Sequence, residues 1–130
     1  MISRRRMIAA ASFAVAFAAA PALAGPRVNY TAAGLEAAQK AGKSILVEVH
    51  APWCPTCKSQ TPILSRLEAD PRFANLAVFH VDFDTQKDAL RALNVQKQST
   101  LIVFKGATEK GRSTGATDPL SIEELLEKSL

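Results

Sequence analysis

The chain has 130 residues, with 16 Lys and Arg against 12 Asp and Glu, and a formal net charge of +4. Three of those arginines, Arg4 to Arg6, sit in an N-terminal leader; the remaining 13 basic residues face 12 acids, so the rest of the chain carries only +1. That excess is too small to suggest a nucleic acid or other polyanion as partner, and the length suits one domain around one core.

Residues 1–24 read as a signal peptide: Arg4-Arg5-Arg6 is a charged n-region, Met7 to Ala20 an apolar run, and Ala22-Leu23-Ala24 a small-x-small cleavage site before Gly25. The chain is therefore expected to be exported, with residues 25–130 as the mature domain. An uncleaved anchor is the alternative, but the apolar stretch is short for a span and ends at Pro21. Ser3-Arg4-Arg5-Arg6-Met7-Ile8 fits both a twin-arginine and an ordinary secretion signal, which leaves the export route open.

The mature chain alternates helix and strand. Thr31 to Ala41 is an Ala-rich helical stretch closed by Gly42, and Ser44 to His50 is a nearly continuous apolar run, the mark of a strand buried on both faces. Cys54 to Ala69 predicts a helix interrupted at Pro62, with a kink there. Leu76 to Phe83 predicts a second buried strand, Gln86 to Leu93 a short helix, Thr100 to Lys105 a third strand, and Arg112 to Gly115 an edge strand. A terminal helix to Leu130 starts at Asp118-Pro119 or at the capping box Ser121-x-x-Glu124. The order αβαβαββα implies a parallel crossover unit followed by an antiparallel hairpin, with a site at the carboxyl end of a central strand.

Both cysteines fall at that strand end, in Trp53-Cys54-Pro55-Thr56-Cys57-Lys58. With a helix starting near Cys54, the spacing puts the sulfurs one turn apart on one face, where a disulfide can close and reopen. The unpaired N–H groups and positive end of that helix favour a thiolate at Cys54, below the ~8.5 of a free thiol. Cys54 is accordingly the expected nucleophile and Cys57 the resolving thiol. Half of a structural zinc site is the competing reading, but no second C-x-x-C or H-x-x-x-H is present. A permanently closed staple would stabilise little, because the loop it closes is so small.

Taken together, Glu48 six residues before Cys54, Ala51-x-Trp53-Cys54-x-x-Cys57-Lys58, Pro62-Ile63-Leu64, Val81-x-x-Asp84, Thr100-Leu101-x-x-Phe104-Lys105-Gly106 and Gly115-Ala116 resemble the thioredoxin family over Tyr30 to Leu130. The resemblance implies an α/β thioredoxin fold, a central mixed sheet flanked by helices, and thiol–disulfide exchange with protein partners at Cys54 and Cys57, without a small-molecule cofactor. In such a site Trp53 is a semi-exposed cover over the disulfide, and Pro55, Thr56 and Thr100 are supporting residues.

Three departures from the family accompany these matches. Ser99 stands where the family has a cis-proline facing the cysteines; a cis bond before a non-proline residue costs about 2.5–4 kcal/mol, so a trans peptide is expected, with the serine hydroxyl as an oxygen near the sulfurs. Glu48 replaces the family's buried Asp and His80 its Lys partner. A carboxylate beneath Cys57 accepts its proton during resolution, and a histidine beside it makes the couple pH-sensitive; the alternative is a buried pair with no catalytic part. His50, four residues before Cys54 and on the strand face of Glu48, either stabilises the Cys54 thiolate or only packs.

The expected function is thus an exported, periplasmic thiol–disulfide oxidoreductase. Glu68-Ala69-Asp70-Pro71-x-Phe73 and the short length resemble domains that relay reductant from a membrane thiol–disulfide reductase, whereas Pro55 after the first Cys resembles oxidising relatives. The rival is a soft-metal module for Cu(I) or Zn(II) built on Cys54 and Cys57 with His50 or Ser99.

Overall fold

A computed structural model describes residues 27–130; the leader and its cleavage site lie outside the described residues. The elements are β1 (Val28–Asn29), α1 (Ala32–Lys40), β2 (Ser44–His50), α2 (Pro55–Glu68), a short 3-10 turn (Pro71–Phe73), β3 (Ala77–Asp82), α3 (Lys87–Ala92), β4 (Thr100–Lys105), β5 (Thr108–Thr114) and α4 (Pro119–Glu127). The sheet order is β1-β3-β2-β4-β5, with β1, β3 and β2 parallel and β4 and β5 antiparallel to their neighbours. This is the expected α/β architecture of a mixed sheet flanked by helices.

Three details differ from the pattern. The two-residue β1 is too short to carry a periodicity, and it exists because its backbone pairs with Phe79 and His80 of β3. The second hairpin strand runs from Thr108 rather than Arg112, since ladder pairing with β4 recruits Thr108 and Glu109, with Lys110 passed over at a register shift, and propensity alone assigns these residues to a turn. Finally, α2 runs unbroken through Pro62. The expected interruption does not occur; Pro62 removes a single internal N–H, and the apolar face of Leu64 and Leu67 stays packed on the sheet.

Alternation along β2 divides the core. Ile45, Val47 and Val49 meet Phe79, Val81 and the α1 and α3 residues Leu35, Ala38, Ala89 and Leu90 on one face. Leu46 meets Val78, Leu101 and the α2 and α4 residues Leu64, Leu67, Ile122 and Leu126 on the other. Period-two alternation puts Glu48 on the α2 side with Leu46, and His80, its register partner on β3, beside it.

Helix starts are capped by side chains. Thr31 accepts from Gly34 N–H at 3.0 Å, and Asp118 accepts from Ser121 N–H at 2.8 Å, so the terminal helix begins at Asp118-Pro119 rather than at Ser121.

Candidate functional site

The strand β2 ends at His50, a tight turn follows in which Cys54 N–H donates to Ala51 O at 3.1 Å, and α2 begins at Pro55. Pro55 occupies the first helical position, where its missing N–H costs nothing. Cys54 is therefore the N-cap residue, with extended φ −85° and ψ 113°, and its Sγ accepts the Cys57 N–H at 3.1 Å. A sulfur thus stands where Thr31 and Asp118 place an oxygen, at the positive end of α2.

Both cysteines are almost wholly buried, each 1 % exposed, packed with Ala51 and against Phe83. Burial pushes the Cys57 thiol up to about 11, the bond to Cys54 adds to the rise, and main-chain groups of Ala51 and Ser99 act against it. Cys57 is consequently a neutral thiol near pH 7 and reacts only once a base removes its proton.

Trp53 flanks the pair, 55 % exposed, its indole N–H shared between both carboxylate oxygens of Asp84 at 3.0 and 3.1 Å and its ring edge-on to Phe83. That agrees with a cover rather than a core residue. Thr56 lies half-buried in the first turn of α2.

Glu48 is buried at 2 % exposure on the α2 side. Its Oε2 lies 3.4 Å from Arg27 Nη2, an ion pair without a hydrogen bond, and its Oε1 lies 4.0 Å from His80 Nδ1. Burial raises the Glu48 carboxyl above its ordinary range, Arg27 opposes the rise, and Glu68 adds to it. Arg27 is itself anchored to Glu68 at 2.8 Å, so a partly exposed guanidinium connects the buried acid to the end of α2. His80 is shifted below the usual histidine range, chiefly by burial and then by His50 and Arg27.

His50 stacks at a tilt on His80, ring centroids 5.2 Å apart, and among the described residues it makes no hydrogen bond to either sulfur. Its expected part as a thiolate partner therefore has no contact behind it. Thr100 is buried and ties β4 to its surroundings, through Lys97 O at 2.8 Å and Thr114 Oγ1 at 3.0 Å.

Ser99 has the expected trans peptide but an unexpected conformation and hydroxyl direction. No described peptide bond is cis, and Ser99 adopts a left-handed φ of +59°. Its hydroxyl does not face the sulfurs as a free oxygen: it donates to Gln98 O at 2.6 Å. The metal reading likewise finds no support, since no group of three or more His, Cys, Asp or Glu that could hold a metal ion occurs among the described residues.

Two site residues escaped the sequence. Arg27 gave no local signal, being the residue before a two-residue strand. Gln60 did give one: it falls on the stripe Cys57, Gln60, Leu64, Leu67 that α2 buries, where the pattern calls for an apolar side chain.

A mixed sheet with a C-x-x-C pair whose first cysteine caps the helix after the central strand defines a thiol–disulfide oxidoreductase. The thioredoxin family model matches residues 29–128, and the chain belongs to that family. It is 35 % identical to a thioredoxin of Echinococcus granulosus over 94 residues, 72 % of this chain and 84 % of that one. It is 33 % identical to a thioredoxin of Chlamydia trachomatis over 84 residues, 65 % of this chain and 80 % of the other. Among solved structures, Trxlp from Edwardsiella tarda superposes with a TM-score of 0.76 at 42 % identity, covering 78 % of this chain and 98 % of that protein.

Proposed function

We propose that this thioredoxin-family protein is an exported thiol–disulfide oxidoreductase in which Cys54 attacks a partner's disulfide and Cys57 resolves the mixed disulfide, working as a periplasmic reductant relay supplied by a membrane thiol–disulfide reductase. The division of labour rests on one observation: Cys54 Sγ caps α2 and accepts the Cys57 N–H, whereas Cys57 is held as a neutral thiol at about 11. The positive end of α2 thus faces the sulfur assigned to the attack.

In the exchange, Cys54 thiolate forms a bond to one partner sulfur and expels the other as a thiolate. Cys57, once deprotonated, then attacks Cys54 Sγ, closing the Cys54–Cys57 disulfide and releasing the second partner thiol. Glu48, with a carboxyl raised by burial, is the base assigned to that second proton. The reducing direction is supported by the Glu68-Ala69-Asp70-Pro71-x-Phe73 passage, which resembles reductant-relaying domains.

Export is supported by the arginine, apolar and Ala22-Leu23-Ala24 segments of the leader. Trapping tests the chemistry: Cys57→Ser should accumulate mixed disulfides and Cys54→Ser none, and equal trapping by both sinks the assignment. Mass analysis of the protein from a periplasmic extract should find Gly25 as the first residue; a chain retaining Met1 in the membrane fraction favours the anchor.

A further inference from the structure

Gln60 is 1 % exposed, a buried amide one turn beyond Cys57 on the core face of α2. Its Nε2 spends both protons on main-chain carbonyls of another part of the fold, Ser99 O at 3.1 Å and Ala116 O at 2.9 Å. Ser99 O also accepts the N–H of Gly115, a residue at φ +80°, at 3.1 Å, and Ser99 N–H donates to Val49 O at 2.8 Å. Three hydrogen bonds therefore converge on the main chain of one residue, in a conformation that costs an L side chain about 1–2 kcal/mol. The same Ser99 main chain is one of two backbone groups that favour the Cys57 thiolate. A buried amide is costly to leave unpaired, and an apolar side chain would fill the stripe equally well, so the polar choice needs a reason.

We propose that Gln60 is a positioning residue for the exchange reaction, its amide holding the left-handed Ser99 peptide against Cys57 so that the resolving sulfur is supported as it loses its proton. This rests on Cys57 being the resolving thiol, and the test separates the two claims. Reduced protein mixed with excess 5,5′-dithiobis(2-nitrobenzoate) releases one thionitrobenzoate when Cys54 forms the mixed disulfide. It releases a second when Cys57 displaces the nitrobenzoate sulfur and closes the Cys54–Cys57 bond. Gln60→Met keeps the length and apolar bulk and removes the donors. The expected result is a first phase within about twofold of wild type and a second phase slowed at least fivefold. Equal slowing of both phases, or a lowered Tm with the second phase unchanged, would overturn the proposal; loss of the first phase in the wild type would instead defeat the assignment of Cys54.

Should Gln60→Met not fold, Gln60→Glu supplies the reading. A buried carboxyl keeps one donor while neutral and none once ionised, so its second phase should fall behind the wild type as pH rises from 6 to 9. Parallel profiles overturn the proposal.

Discussion

The two faces of the sheet are built to different rules. The face under α1 and α3 is closed by Leu35, Val47, Val49, Phe79 and Leu90 without a buried charge, whereas the face under α2 and α4 buries Glu48 and Gln60 among Leu46, Leu64 and Leu101. Both faces bury apolar area that drives folding. The second also bears the cost of a dehydrated carboxyl and amide, and those groups lie on the side of the helix that Cys54 caps. Under the proposed function, the contrast separates residues that hold the fold from residues whose polarity serves exchange.

The largest effect should come from breaking the dry face. Phe79→Ala is expected to cost about 3–5 kcal/mol in denaturant unfolding, through lost transfer energy and the cavity left behind, with exchange in the folded fraction unchanged. A fall in exchange beyond the unfolded fraction would erase the division between the faces. Next comes Ser99→Pro. Proline is fixed near φ −65° and has no N–H, so it fits neither the +59° conformation nor the bond to Val49 O. A loss of order 2–3 kcal/mol is expected, and peptide exchange should not improve. A variant as stable as wild type would show that the loop repacks freely.

Glu48→Gln sharpens the contrast from the other side. Exchange near pH 7 should slow several-fold, short of the ~10²-fold contribution of a fully rate-limiting base. Stability should move the opposite way. Because the folded carboxyl is raised above its ordinary 4.5, the stability it contributes is complete below that value and is lost as pH climbs through the folded one. The Tm advantage of Glu48→Gln should therefore widen from pH 4 to pH 8; a constant difference would remove the buried charge as its cause. The smallest effect belongs to His80, whose folded value is lowered from 6.5. Its stability contribution is complete above 6.5 and is lost as pH falls through the lower folded value, so His80→Asn should soften the acid limb of the Tm profile and shift the pH dependence of exchange.

The sequence by itself determined the strands Ser44–His50 and Thr100–Lys105 to the residue, because continuous apolar runs bounded by turn residues are local signals. It also determined the C-x-x-C pair and its place at a helix start, since spacing and Pro55 are written in adjacent positions. Only the tertiary structure decided which polar groups meet. Arg27 reaches Glu48 across 21 residues of chain and Gln60 reaches Ser99 across 39, and no local pattern encodes partners so far apart. The left-handed turn at Ser99 belongs to the same class. Serine has no intrinsic preference for it, and the conformation persists because Val49, Gly115 and Gln60, drawn from three different segments, satisfy the main-chain N–H and C=O of that one residue together.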